Sequence, residues 1–217
     1  EPLGADTAGS RYLDPDGSFP NHIPNPENET AMQSILDAVQ ESKADLGIIF
    51  DTDVDRAGAV LSDGTELNRN RIIAMMAAIL LREHPGTTIV TDSITSTGLA
   101  AFIRKHGGVH HRFKRGYRNV INESMRLNRE GHDSQLAMET SGHGALKENY
   151  FLDDGAYLVT KLLIDAISRA LKTESGSMVC IEKGHTLRYD VDHRVRLIDA
   201  SEYSIKSYTL LRGFISG

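Results

Sequence analysis

Three carboxylates and a guanidinium stand close together in the stretch DTDVDR, residues 51–56. Asp51, Asp53 and Asp55 occupy alternate positions directly after the apolar run LGIIF, and Arg56 follows at once. In an extended loop this spacing turns the carboxylates toward one point, where a bound cation removes their repulsion. Hard oxygen ligands suit Mg²⁺ or Ca²⁺. An arginine beside such a cluster is placed for a phosphate that bridges the metal and the guanidinium.

Other chemistries start from a similar acidic loop. An EF-hand needs Gly at its sixth position and Glu at its twelfth, where this chain has Arg56 and Ser62, so that class is excluded. A haloacid-dehalogenase-like phosphatase also places an Asp-x-Asp pair after a strand. In that alternative Asp51 is a covalent nucleophile and Asp53 an acid or base. A solvated turn is the plainest alternative, but the preceding strand aims this loop at a ligand position.

A second polar loop lies at METSGHGALKENYFLDDG, residues 138–155. Glu139 and Ser141 can hold neighbouring hydroxyls of a sugar ring, and Gly142 lets the backbone approach closely. His143 can donate to a phosphate or a ring oxygen. In isolation this is a polar turn after a strand, and the aspartate loop upstream is what favours a ligand site. We interpret Asp153 and Asp154, farther along, as structural acids at the start of a helix.

Together the two loops resemble those of the α-D-phosphohexomutases, which include phosphoglucomutase, phosphomannomutase and phosphoglucosamine mutase. The first is similar to the family's metal loop, Asp-Gly-Asp-x-Asp-Arg, with Thr52 and Val54 where small residues are common. The second is similar to its sugar loop, Glu-x-Ser-Gly-His, with the Lys-Glu and Asp-Asp-Gly that follow. The resemblance implies a Mg²⁺ held by Asp51, Asp53 and Asp55. It also implies a hexose phosphate bound by Arg56, Glu139, Ser141, His143 and Lys147.

The basic stretch HHRFKRGYRNV, residues 110–120, lies between the two loops. The resemblance aligns it with a loop that approaches the substrate, which makes Lys114 and Tyr117 candidates for general acid–base catalysis beside Arg56. Many members have histidine at the position of Tyr117, and some have lysine where this chain has Ile94. A solvated basic face is the alternative interpretation, and nucleic-acid contact is disfavoured by a formal net charge of −6.

The resemblance implies a cycle in which a phosphoserine gives its phosphoryl group to a hexose monophosphate. The hexose 1,6-bisphosphate then turns over, and the serine takes back the other phosphate. The chain contains neither the family's Ser-His-Asn-Pro donor segment nor its Arg-x-Ser-Gly-Thr-Glu-Pro phosphate clamp, which KTESGS near residue 175 does not match. We therefore expect a mutase fragment that depends on missing mutase domains. A non-catalytic module that binds a sugar phosphate or a metal is a further alternative.

Helices and strands alternate along the chain, which predicts an α/β fold of mixed, largely parallel sheets flanked by helices. Predicted helices run from Ala31 to about Lys43, from Asn68 onward, over Thr97–Lys105 and after Asp154. Predicted strands are LGIIF, TTIVT, VHHRF and QLAMET. The resemblance divides the chain into residues 1–66, the latter part of a domain with the metal loop, 67–178, a domain with the sugar loop, and 179–217, the start of a β-rich C-terminal domain.

Composition sets wider limits on the protein. The 217 residues are 40% hydrophobic and 25% charged, an ordinary globular balance that allows one large domain or two small ones. The single cysteine, Cys180, predicts a reducing compartment such as the cytoplasm or a plastid. No apolar run reaches the roughly 18–20 residues of a membrane span, so we expect no membrane partner. Because the chain opens on Glu1 rather than Met, we expect a processed product or a fragment.

Overall fold

The computed structural model of the protein describes residues 6–170, 178–182, 185–189 and 195–198. The chain divides into two compact units, one spanning Asp14–Leu162 and the other combining Glu1–Leu13 with Leu163–Gly217. All of the residues predicted to bind metal or substrate lie in the unit Asp14–Leu162. The expected boundary between residues 66 and 67 falls within that unit and stays a prediction.

The aspartate loop belongs to a three-stranded antiparallel sheet. Its strands are β1 (Leu46–Phe50), β2 (Ala57–Leu61) and β3 (Glu66–Leu67), in that order. Phe50 pairs with Ala57, so residues 51–56 form the hairpin connection between β1 and β2. Helix α1 (Glu29–Ser42) packs its apolar side against β1 and β2 through a cluster made of Ala31, Met32, Val39, Ile49 and Val60.

The second sheet has the order β5-β4-β6-β7. Its strands are β4 (Thr88–Asp92), β5 (Val109–Phe113), β6 (Ser134–Met138) and β7 (Gly144–Leu146). The first three are parallel, and β7 runs antiparallel beside β6. The carboxyl ends of the parallel strands therefore meet at one edge of the sheet, which is the edge where α/β folds bind ligands. Residues 139–143, the sugar loop, connect β6 to β7 at this edge.

Helices cover both faces of the second sheet. These are α2 (Arg69–Glu83), α3 (Thr97–Lys105) and α4 (Tyr117–Arg129); a further helix, α5 (Gly155–Ala170), follows β7 along the chain. Val90 and Ala137 are register partners on one face, and α4 packs on them through Val120, Ile121 and Leu127. Ile89 and Leu136 point to the opposite face because side chains alternate along a strand, and both are fully buried. Helix α2 contacts β6, and every residue from Met75 to Leu81 is buried.

The mixed α/β class predicted from the sequence is confirmed, but among the strands that the structure describes, parallel pairing is confined to β4, β5 and β6. The first sheet is antiparallel because its first connection is a short hairpin, which joins only antiparallel strands. The strands β2, β3 and β7 and the helix α4 were not predicted from the sequence. Helix α4 opens inside the basic stretch, and polar residues dominate its sequence YRNVINESMRLNR, so its buried stripe is narrow.

In the other unit the structure describes one antiparallel sheet of order β10-β9-β8, from β8 (Met178–Glu182), β9 (His185–Tyr189) and β10 (Val195–Ile198). These strands agree with the β-rich character expected after Val179. Three parts of the sequence discussed above lie outside the described residues. They are much of the segment 179–217, KTESGS near residue 175 and the start at Glu1. Among the helices that the structure describes, none combines the length and the hydropathy of a membrane span.

His110 on β5 makes folding stability depend on pH. Burial, together with the charges of Arg112, Arg104 and His111, lowers its pKa to about 4, and its Nε2 lies 2.8 Å from Thr91 Oγ1. The unfolded chain therefore takes up a proton on this ring at a higher pH than the folded chain does. The stability that the neutral ring contributes to the folded state is complete above about pH 6.5 and is lost as the pH falls toward 4. Because the ring is half-buried, we expect a loss of about 1 kcal/mol.

Urea unfolding of the wild type and of His110→Gln at pH 7.5 and pH 5 measures this effect. The wild type should lose more stability than the variant between the two values, while the exposed His132→Gln control should behave like the wild type. Equal pH dependence in the wild type and His110→Gln would contradict the assignment.

Candidate functional site

The hairpin between β1 and β2 is held together by Arg56. The Asp51 side chain is only 1% exposed. It accepts a hydrogen bond from Arg56 Nε at 2.5 Å and another from the Arg56 backbone N–H at 3.1 Å. Burial alone would raise the pKa of Asp51, but the hydrogen bonds from Arg56 outweigh it and lower the pKa. The two terminal nitrogens of Arg56 make no hydrogen bond to a described residue, so they remain for a ligand.

The three aspartates of the loop converge as the spacing predicts. Carboxylate oxygens of Asp51, Asp53 and Asp55 all lie within 4.8 Å of one another. The Oδ1 atom of Asp55 is buried and accepts no hydrogen bond from any described residue. Burial, with the neighbouring carboxyls of Asp51 and Asp153, raises the pKa of Asp55 to about 6. An unpaired buried oxygen among hard oxygen ligands fits a divalent cation such as Mg²⁺, which would supply the missing partner.

The sugar loop is anchored from two sides. Glu139 is buried and accepts a hydrogen bond from the backbone N–H of Gly116 at 2.5 Å. Its other oxygen accepts from Ser141 Oγ at 3.3 Å. Thr140, between them, donates its hydroxyl to buried Asp92 at 2.8 Å. The ends of β4 and β6 and the start of α4 therefore fix the position of this loop, and the basic stretch reaches it through Gly116.

The two loops meet at His143. Arg56 and His143 form an isolated antiparallel bridge between the two sheets. The Nδ1 atom of His143 lies 3.4 Å from Asp55 Oδ2. Gly142 has a φ of +101°. A Cβ atom there would lie 3.1 Å from the carbonyl oxygen of Ala57, so glycine permits both the conformation and the close approach. The metal loop and the sugar loop thus line one site.

Helix α5 supports the metal loop from behind. The N–H of Gly155, the first residue of the helix, donates to the carbonyl of Val54 at 2.9 Å. A Cβ atom at Gly155 would lie 2.8 Å from the carbonyl carbon of Arg56. Val54 itself has a φ of +63°, which is strained for a β-branched residue and explains why small residues suit this position. The loop therefore depends on contact with the start of α5.

Tyr117 lies in the site, whereas Lys114 does not contact it. The Tyr117 ring stacks on the His143 ring with centroids 4.8 Å apart. Arg118 Nε donates to the Tyr117 hydroxyl at 3.2 Å. Lys114 is exposed at the carboxyl end of β5, and its Nζ is 5.9 Å from the centroid of Phe113. Of the two acid–base candidates, only Tyr117 is brought against the sugar loop.

Lys147 is the predicted substrate ligand that the structure separates from the others. It follows β7, whose residue Leu146 pairs with Leu136 near the start of β6. Its Nζ donates to Asp133 at 3.0 Å, just before β6, whereas Glu139 follows the other end of that strand. The five-residue strand β6 separates the two ends by roughly 15 Å. We therefore exclude Lys147 from the proposed site, because a side chain held there cannot reach the sugar loop.

The first side chains of the basic stretch belong to β5 and make contacts within the protein. His111 Nε2 lies 2.9 Å from Glu123, and Arg112 donates to the carbonyl of Ser96 at 2.7 Å. Together with the bond between His110 and Thr91, these contacts tie β5 to the neighbouring elements. A structural role therefore accounts for the first half of the stretch.

Asp153 is a site residue that sequence reasoning missed. It was expected to cap α5, but its two oxygens accept hydrogen bonds from His143 Nδ1 at 2.7 Å and from the Gly144 N–H at 2.9 Å. The capping role belongs to Asp154 alone, which accepts from the Tyr157 N–H. Burial opposes charge on His143, but the Asp153 carboxylate outweighs it and raises the pKa of the imidazole.

Two models of one protein family match this chain. The model described as phosphoglucomutase/phosphomannomutase, alpha/beta/alpha domain II matches residues 6–64. The model for alpha/beta/alpha domain III of the same family matches residues 68–179. The chain therefore belongs to the phosphoglucomutase/phosphomannomutase family, the class that the two loops resemble.

Individual relatives point the same way. The chain is 35% identical to a phosphomannomutase/phosphoglucomutase of Pseudomonas syringae over 75% of its own length and 34% of the relative's. It is 34% identical to a phosphoglucomutase of Neisseria meningitidis over 70% of its own length and 32% of the relative's. A crystal structure of a family protein from Burkholderia thailandensis matches with a TM-score of 0.61 and 26% identity, covering 84% of this chain and 48% of that one. The chain spans about a third of the length of the two named relatives.

The contact between α5 and the metal loop predicts that Gly155→Ala destabilises the protein. The added methyl group would meet backbone atoms of Arg56 and Val54 at 2.8–3.0 Å, and backbone cannot move aside cheaply. We expect a loss of about 1–3 kcal/mol in the free energy of unfolding, measured by urea denaturation.

Gly17→Ala is the matched control, because a Cβ atom there meets nothing within 4 Å. Its effect should stay within about 0.5 kcal/mol. A Gly155→Ala variant as stable as Gly17→Ala would show that the helix start does not support the loop.

Proposed function

We propose that this chain is the metal-binding and sugar-binding part of a phosphohexomutase, which interconverts a hexose 1-phosphate and a hexose 6-phosphate through a bisphosphate. The observation that supports it best is the meeting of the two loops, with His143 Nδ1 3.4 Å from Asp55 Oδ2. A phosphoryl group on a sugar held by the second loop then faces the ligands of the first. Family membership supports the reaction class.

The metal loop would act on the transferring phosphoryl group. Asp51, Asp53 and Asp55 would hold Mg²⁺, which when bound supplies Lewis-acid neutralisation of charge on that group. Arg56 is oriented by Asp51, so its terminal nitrogens can donate to a phosphate oxygen without reorganisation. The loop thus offers positive charge from two sources on one side of the cleft.

The sugar loop would hold the ring. The Ser141 hydroxyl and the Glu139 carboxylate are adjacent polar groups that can pair with neighbouring ring hydroxyls. A site that grips hydroxyls placed alike in both orientations of a hexose bisphosphate can present either phosphate to the metal loop. Hexose 1,6-bisphosphate is therefore the proposed ligand.

Proton transfer is assigned to Tyr117. Its ring lies against His143, at the boundary between the two loops. Lys114 stays a second candidate, because it lies at the same edge of the sheet and needs only a change of side-chain conformation to approach a ligand.

The geometry disfavours an aspartyl-phosphate phosphatase. The nucleophile in that chemistry needs an accessible oxygen, whereas both oxygens of Asp51 accept hydrogen bonds from Arg56 and the side chain is 1% exposed. A non-catalytic module that binds the same ligand remains the second candidate.

Calorimetric titration of the chain with Mg²⁺ tests the metal assignment. We expect Asp53→Ala to weaken binding roughly tenfold or more, because it removes a ligand without disturbing the Asp51–Arg56 contact. The exposed Asp14→Ala is the control and should bind Mg²⁺ like the wild type. Equal affinity in Asp53→Ala and the wild type would remove the metal from this loop.

Glucose 1,6-bisphosphate, titrated in saturating Mg²⁺, tests the sugar site. We expect the wild type to bind and Ser141→Ala to bind more weakly, since a ring hydroxyl would lose its partner. A coupled glucose 1-phosphate isomerisation assay should show no turnover by this chain alone. Failure of the wild type to bind the bisphosphate would contradict the proposal.

A further inference from the structure

We infer that Asp153 is a positioning residue, which holds the His143 ring by its Nδ1–H and presents Nε2 as an acceptor to a hydroxyl of the bound sugar phosphate. This inference rests on the proposed function of the site. The two oxygens of Asp153 serve two donors, the His143 ring at 2.7 Å and the Gly144 backbone N–H at 2.9 Å. A carboxylate accepts only, so at this short distance Nδ1 must carry the proton.

The carboxylate is itself fixed in place. Asp153 forms an isolated antiparallel bridge with Ala145 of β7, and the next N–H, of Asp154, donates to the Gly144 carbonyl at 3.2 Å. The Asp153 side chain is 13% exposed, so little solvent competes for it. Backbone pairing therefore sets where the acceptor lies, and the imidazole follows.

Two carboxylates compete for the same ring nitrogen. His143 Nδ1 is 2.7 Å from Asp153 and 3.4 Å from Asp55, which belongs to the proposed metal ligands. Imidazole is itself a good ligand for divalent metals. The shorter bond to Asp153 holds the ring back from the metal loop and leaves the Asp55 carboxylate for the cation.

The remaining surroundings of the ring single out Nε2. One face is covered by the Tyr117 ring, whose plane is inclined by 20°. The Nδ1 edge is taken by Asp153. Nε2 makes no hydrogen bond within the part of the chain that the structure describes, and it is not sealed from solvent. It is the one polar atom of the side chain that a ligand in the cleft can use.

The test compares Asp153→Asn with Asp154→Asn. In Asp153→Asn the Gly144 N–H still donates to the side-chain oxygen of residue 153. The NH₂ group of the new amide must then face His143 and donate to Nδ1. We expect the neutral ring to change tautomer, from a proton on Nδ1 to a proton on Nε2. Side-chain nitrogen NMR of His143, at a pH where the ring is neutral, reads this directly. Asp154→Asn keeps an oxygen that can accept from the Tyr157 N–H and should leave the wild-type tautomer.

Binding of glucose 1,6-bisphosphate in saturating Mg²⁺ is the second measurement. We expect Asp153→Asn to bind roughly tenfold more weakly, because an Nε2 that carries the proton no longer accepts from a sugar hydroxyl, and we expect Asp154→Asn to bind like the wild type. An unchanged His143 tautomer in Asp153→Asn would overturn the inference whatever the affinity. An altered tautomer with wild-type affinity would overturn the part that assigns Nε2 to the ligand. Absence of binding by the wild type contradicts the proposed function instead, and the NMR comparison remains an independent test of how Asp153 positions the ring.

Discussion

Electrostatic repulsion among crowded carboxylates is the constraint on which the site depends. Asp51, Asp53, Asp55 and Asp153 converge from two loops on a region that contains one guanidinium and one imidazole. The protein pairs Asp51 with Arg56 and Asp153 with His143, at 2.5 Å and 2.7 Å. Asp55 has only the longer contact with His143, at 3.4 Å, and burial, together with the carboxyls of Asp51 and Asp153, raises the pKa of Asp55 to about 6. Such a site favours either an added proton or an added cation, and neutral pH favours the cation.

Backbone contact keeps this arrangement from relaxing. Repelling side chains would move apart if the loops were free, but the loops touch through main-chain atoms. Gly142 lies against Ala57, and Gly155 lies against Val54 and Arg56. Side chains at either glycine would separate the sugar loop or the start of α5 from the metal loop. The two glycines therefore allow two loops from different sheets to line one cleft.

Short-range features of the sequence predicted the loops well. Alternate spacing after a strand was enough to bring Asp51, Asp53 and Asp55 together, and helix α3 has the predicted bounds. The predictions that failed depend on how one strand is aligned with its neighbour in the sheet. Lys147 is four residues after His143, yet β7 carries it to the far end of β6, beside Asp133.

The pair Asp153-Asp154 shows a related limit. From the sequence, both acids suit the start of a helix, and their positions alone do not show which of them is the cap. The bridge between Ala145 and Asp153 turns one of them back toward β7, while the other meets the first turn of α5. One feature of the sequence could have distinguished the two acids. A histidine that precedes an apolar β-strand needs a hydrogen-bond partner for its ring, and an acid that pairs across that short strand can supply it.

Tyr117 is where the chain departs from the histidine common in the family, and its surroundings restrict what that change permits. The flat Tyr117 ring stacks on the His143 ring. The hydroxyl accepts from Arg118 at 3.2 Å, which leaves its own proton free for donation toward the cleft. The phenol offers one O–H for donation, whereas an imidazole has two ring nitrogens, one of which can accept while the other donates. A tyrosine here can therefore donate to a departing or bound oxygen, but it is a poor acceptor of a substrate proton. Base chemistry in this cleft would consequently fall to a group on the sugar loop or to a residue contributed from outside the described part of the chain.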